Sequence, residues 1–273
     1  MLIAEDLLLL LTDDTSGKLS AHPAKVDIVL AGANLVELAL MGRVDMDISR
    51  KELIVGDRSP IGDAVLNATL ESVTRETVIK GHGPPIQAVI RQSAKKVRKT
   101  LYQRLVSMGM VRHEQRRILR DRWPAQDSRH KAEVRGRVIQ ALMAQTRPDT
   151  RNAALIALLH TIRHEPKIVD PWNYGMSKSQ LLERGAVIVY SSWAPEAGRI
   201  AIDTIIAVTR RLARRAGDGG IGGVGIAIGI GYGGGGDGGG GDGGGGDGGG
   251  WDGGSWGDGG GGNGGGGNGG GGD

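Results

Sequence analysis

Along the first 216 residues, apolar positions recur mostly at steps of three and four, the period of helices that bury one face. Residues 26–41 place Leu30, Ala33, Val36 and Leu40 on one side, and Gly42 follows as a C-cap. Asp63 is placed to cap a helix running to about Arg75. Residues 131–146 bury Val134, Val138 and Leu142, with Ile139 and Met143 beside them. After Pro148-Asp149, residues 153–159 are apolar almost all round, as expected of a central bundle helix. Pro166, Pro171 and Gly175 mark a loop, residues 177–187 are weakly helical, and residues 195–215 form a last amphipathic helix. Residues 2–11 fit a short helix or a buried strand, because an unbroken Leu run has no readable period.

The alternation in Val44-Asp45-Met46-Asp47-Ile48, a polar turn, and residues 52–55 predict a small hairpin. Residues 110–123, short apolar pairs with many Arg and a Trp-Pro stop, predict a second hairpin or wing. The expected class is mainly α: one compact helical-bundle domain over residues 1–216, with one or two short β-hairpins. From Gly217 the chain is glycine-rich and settles into a five-residue Gly-Gly-Gly-Gly-Asp repeat. Such a composition buries too little apolar surface to offset its ordering entropy, so residues 217–273 are expected to be a disordered tail.

The charge is unevenly spread. The whole chain carries +4, but residues 217–273 contribute seven Asp and no Lys or Arg, so the body is seven charges more positive than the whole. A body this basic favours a polyanionic partner: nucleic acid, an anionic membrane or an acidic protein. Residues 77–113 contain no Asp or Glu. Read as one helix opened by Gly81-His82-Gly83-Pro84-Pro85 and closed by Gly109, they put Arg91, Lys95, Arg98 and Lys99 on one stripe, at i, i+4, i+7 and i+8. That stripe is the candidate anion site, best suited to a phosphate; a solvated basic face fits the residue pattern equally well.

Cysteine is absent, which excludes disulfides and thiolate metal sites and is compatible with a reducing, cytoplasmic location. The first residues lack the basic start of a signal peptide, and there is no apolar run of membrane-spanning length. His160 and His164, with Glu165 adjacent, have a spacing that could hold a metal on a helix, but structural roles fit them better. Glu5, Asp6, Asp13 and Asp14 are better explained by caps and turns than by acid–base chemistry. No nucleophile elbow, Walker loop or HExxH pattern is present. The expectation is a non-enzyme without cofactor or metal.

Several stretches resemble the Golgi phosphoprotein 3 family. They are the Leu-rich opening followed by Asp13-Asp14 and Gly17, and residues 32–43 ending Glu37-Leu38-Ala39-Leu40-Met41-Gly42-Arg43. Arg122-Trp123-Pro124 and Ala154-Leu155-Ile156-Ala157-Leu158-Leu159-His160 resemble its bacterial branch. The resemblance spans about residues 2–213. It implies a mostly helical domain with a protruding β-hairpin. It also implies binding of phosphatidylinositol 4-phosphate or another anionic lipid, and an adaptor role at a membrane surface.

The family's two cationic helix positions fall at Lys95 and Arg98, with Arg91 and Lys99 as flanking charge. His22 stands where the family has a Trp, and Ala31 where it has an Arg. The hairpin tip, residues 116–121, is Arg-rich and suits headgroups rather than the acyl region. The implied partners are an anionic phospholipid membrane surface, client membrane proteins and a second copy of the chain. The alternative is a nucleic-acid-binding protein using the basic helix and the Arg-rich hairpin.

Overall fold

The computed structural model describes residues 1–47, 49–50, 52–116, 121–143, 148–191, 194–195 and 199–216. The expected disordered tail and most of the Arg-rich hairpin tip lie outside these residues. Ten helices and one two-stranded antiparallel sheet make up the described residues, so the class is mainly α.

The Leu run at the start is a helix, α1 (Ile3–Leu10), with every residue buried. Its Leu2 N–H donates to Glu5 Oε2 at 2.7 Å, and Ile3 N–H donates to Glu37 Oε2 at 2.7 Å. Carboxylates on α1 and α2 thus satisfy two N–H groups that a helix start leaves orphaned. Burial of Glu37 pushes its carboxyl above the usual range, against the Ile3 N–H and Arg151.

The hub is α2 (Pro23–Leu40), begun by Pro at N1 and buried from Val29 through Ala39. It packs against α1, α3 (Ala64–Lys80), α4 (Ile86–Ala94), α5 (Val97–Ser107), α7 (Thr150–Thr161) and α10 (Arg199–Arg215). A Cβ built on Gly32 would lie 2.4 Å from Thr209 Oγ1, so glycine lets α2 and α10 approach this closely. The apolar run of α7 is buried at 2 % exposure or less, as its pattern requires. α6 (Arg129–Met143) inserts Val134, Val138 and Leu142.

Asp63 caps α3 by accepting from Val65 and Leu66 N–H, and the helix continues past Arg75 to an αL Gly81. β1 (Val44–Asp47) and β2 (Glu52–Val55) pair with Val44 opposite Val55. The Gly-His-Gly-Pro-Pro loop borders β2, where Leu53 N–H donates to Pro84 O at 3.0 Å. A second ribbon forms around Val111↔Ala125 and Glu114↔Arg122. α8 (Glu165–Ile168), a 3₁₀ turn (Pro171–Tyr174) and α9 (Lys178–Tyr190) complete the chain before α10.

The single basic helix over residues 86–108 is corrected to two helices. α4 ends at Ala94, and its last turn tightens through Lys95 N–H to Gln92 O and Lys96 N–H to Ser93 O. These are i→i+3 bonds, the usual way a final helical turn closes. Lys96, at φ −126°, is not helical, and α5 starts at Val97. Ser93 and two adjacent lysines supply no apolar anchor at the joint, whereas Ala94 and Val97 on either side are buried.

Candidate functional site: a basic cleft backed by an aromatic stack

A loop, two helices and the second ribbon enclose a cleft of about 1050 Å³. Gly17, Lys18, Leu19 and Ala21 come from the loop between α1 and α2. Asp27 comes from α2, Lys95, Arg98, Lys99 and Tyr102 from the α4–α5 joint and α5, and Asp121, Arg122 and Trp123 from the ribbon.

Trp123 forms the aromatic wall. Tyr102 stacks on one side of it at 4.4 Å, 4° from parallel, and His113 stacks on it at 4.1 Å and 7°. The Tyr102 hydroxyl lies 2.8 Å from Thr12 Oγ1, and burial pushes its phenol up to about 12. His113 Nε2 meets Asp121 Oδ2 at 2.8 Å. That hydrogen bond, more than the nearby Lys99 charge, holds the Asp121 carboxyl below its usual range.

The loop is locked to the ribbon through backbone. Gly17 is αL, its carbonyl accepts from Trp123 N–H at 3.1 Å, and Asp14 O accepts from Ala125 N–H at 2.8 Å. Lys131 from α6 ties the same loop down by donating to Thr12 O and, at 2.6 Å, to Asp14 Oδ1. Asp13 accepts from Ser16 N–H and Oγ, the turn role that its sequence context suggested.

Three of the four stripe residues converge on the cleft. The side chains of Lys95 and Lys99 are exposed there and make no ion pair or hydrogen bond with other described residues. Arg98 is half-buried, with Nε 3.1 Å from Asp27 Oδ1. Burial pushes the Asp27 carboxyl up, and the guanidinium opposes that shift. Arg98 is therefore partly neutralised, and the cations without an ion pair are the lysines, Lys99 having Asp121 nearby. Arg91 lies on exposed α4 surface and does not line the cleft.

His22 occupies the N-cap position of α2 without a side-chain capping bond, between two lining residues, Ala21 and Pro23, and Ala31 is buried in the core. Sequence reasoning missed Lys18, Asp27, Tyr102, Arg122 and Trp123. The one available signal was Arg122-Trp123-Pro124, an aromatic next to a cation inside the ribbon.

The candidate metal spacing does not survive folding. α7 ends at Thr161, so His160 and His164 do not share a helix. His160 Nδ1 pairs with buried Glu165 Oε1 at 2.6 Å, while His164 Nε2 meets Ser20 Oγ at 2.7 Å. Burial, helped by Lys167, lowers the His164 pKa to about 4.

A histidine with a depressed folded pKa loses stability as pH falls from its unfolded value toward its folded one. Acidifying from pH 7 to 5 should cost the protein about 2 kcal/mol through His164 alone. Urea midpoints at both pH values test this: His164→Gln should show a correspondingly flatter dependence, and an unchanged slope would refute it.

These features define a mainly helical domain carrying a basic, aromatic-backed cleft between α5 and the second ribbon. The family model for Golgi phosphoprotein 3 (GPP34) matches residues 3–205, and the chain belongs to that family. No curated protein matches the chain. No helix among the described residues is long and apolar enough to cross a membrane.

Proposed function

We propose that the protein is a peripheral lipid-binding module whose cleft takes the phosphorylated headgroup of an anionic lipid, phosphatidylinositol 4-phosphate or a related one. It would act by binding alone, and could in that way serve as a membrane-surface adaptor. The observation that carries this reading is the convergence of Lys18, Lys95 and Lys99 on one cleft, none of them in an ion pair, with Asp121 near Lys99 already engaged by His113. A headgroup phosphate would meet the lysines, and its ring would meet the edge of Trp123, whose faces are taken by Tyr102 and His113. Arg98 would hold its end of α5 against Asp27 and share charge with the ligand. Lysine is a point charge without the bidentate fork of arginine, which suits a range of anionic headgroups more than one stereospecific ligand. Family membership supports the reading.

Each basic side chain near an anionic surface contributes about 1 kcal/mol. Lys95→Ala/Lys99→Ala should therefore lower partitioning onto phosphoinositide vesicles by roughly tenfold or more, and raised salt should lower it for the parent. Flotation with and without phosphoinositide is the test. Equal, negligible binding to both vesicle types would sink the proposal. The nucleic-acid alternative would need salt-dependent DNA retardation. The two-residue joint between α4 and α5 is shorter than the turn a helix-turn-helix uses.

A further inference from the structure

A second cationic concavity, of about 260 Å³, lies where α8 and α9 come together. Its lining is Arg163, Pro166, Lys167, Lys178 and Leu182. None of the three cationic side chains makes an ion pair or hydrogen bond with the described residues, and all three residues are exposed. The nearby acids are otherwise engaged: Glu165 is fully buried against His160, and Asp170 accepts from Trp172 N–H at 3.2 Å.

Two of the cations sit where stability argues against them. Arg163 has φ +54°, the one non-glycine residue with positive φ among those described. It follows the end of α7 in the position that glycine usually fills, and an L side chain there is strained. Lys178 is the first residue of the 13-residue α9, at the positive end of its dipole. Three like charges gathered together, two of them at unfavourable positions, are a local conflict, and such conflicts mark sites that serve a ligand.

The segment between Lys167 and Lys178 also carries Trp172, 75 % exposed, and Tyr174, 44 % exposed, on the 3₁₀ turn. An exposed Trp beside basic residues is the pattern of a side chain that rests at a membrane interface.

We propose that Arg163, Lys167 and Lys178 form a second anion site, separate from the cleft, that takes a phosphate group, with Trp172 placing the phosphate's source at a lipid surface. The Arg163 guanidinium supplies paired donors to phosphate oxygens, the lysines supply point charge, and Pro166 and Leu182 form the apolar wall.

The experiment uses the full chain carrying Lys95→Ala/Lys99→Ala, so that binding in the cleft does not mask the second site. Inorganic pyrophosphate is titrated by calorimetry. Lys167→Ala/Lys178→Ala should weaken its affinity by roughly tenfold or more. Arg163→Gly should weaken it similarly while leaving the anion-free unfolding midpoint unchanged or raised, because glycine accepts αL without strain. That combination separates loss of a ligand contact from loss of fold.

Vesicles of phosphatidylglycerol in phosphatidylcholine form the second arm. Lower partitioning by Trp172→Ala and by Arg163→Gly assigns the phosphate to lipid. Loss of pyrophosphate binding with unchanged partitioning keeps the site but makes its source free phosphate, overturning the lipid assignment. Absence of saturable pyrophosphate binding together with unchanged vesicle binding in these variants overturns the site. Failure of the cleft variants to alter vesicle binding, with Arg163→Gly still lowering binding in these assays, would remove the cleft reading and leave this one standing.

Discussion

Replacing Arg104 by Met should cost about 3–5 kcal/mol, the largest single loss expected anywhere in the domain. Its Nε lies 2.8 Å from Glu5 Oε1 and its Nη1 lies 2.6 Å from Asp63 Oδ2. Glu5 is fully buried, and its other oxygen serves the Leu2 N–H. Without the guanidinium, the Glu5 charge would stay inside with one neutral donor for company, and charges buried that way are expensive. Asp63 would suffer less. Burial raises its carboxyl, but the α3 N–H donor at Leu66 and Arg104 outweigh that and hold it below the usual range, and the cap survives the substitution. Urea unfolding measures the loss. Adding Glu5→Gln to Arg104→Met should recover part of it, because the stranded charge is gone. A single variant within about 1 kcal/mol of the parent would show that Glu5 is not held by this pair.

Gly17→Ala should cost about 3 kcal/mol and disable the cleft with it. The new Cβ would stand 2.3 Å from Trp123 N and 2.4 Å from Pro124 N. Those are backbone atoms, so no rotamer change relieves the overlap. The φ of +61° adds strain for any L side chain. The ribbon must retreat, and the Trp123 wall retreats with it. The checks are an unfolding midpoint and the Trp emission of the folded variant, read beside vesicle partitioning. A variant with parental stability and parental binding would refute the backbone lock. A variant that folds less stably yet binds normally would show that the wall need not stay where it is.

Much of this architecture could be read from single residues. Asp63 and Asp149 each cap a helix where a short polar side chain precedes an apolar period, and Gly42, Gly81 and Gly109 each take the αL turn after one. The first hairpin was legible because Val44-Asp45-Met46-Asp47 alternates. α1 was ambiguous because the unbroken Leu7–Leu11 run erases the period that tells helix from strand.

The break at Lys95 and Lys96 was hidden for a related reason. The apolar spacing from Ile86 to Leu105 runs on as if the helix did, and the joint shows itself only through the tightened hydrogen bonds. At the site, the lysines could be found as a charge run. The Arg98–Asp27 pair, the Trp123 sandwich and the docking of Gly17 on the ribbon could not. Each joins residues far apart in the chain, and periodicity carries no information about such meetings.

The fully buried, Leu-rich α1 has a consequence for how the molecule comes into being. Its neighbours α5, α6 and α7 are encoded far downstream, and the Arg151 guanidinium that reaches back to Asp6 arrives 145 residues later. At cellular synthesis rates, that separation means a delay on the order of ten seconds before the last wall of its burial site leaves the ribosome. Through that interval a greasy segment has only α2 among its native neighbours to cover it. Newly made chains should therefore be at their most aggregation-prone before α7 emerges, and a holdase that shelters Leu-rich segments should matter more to yield than any gain in final stability.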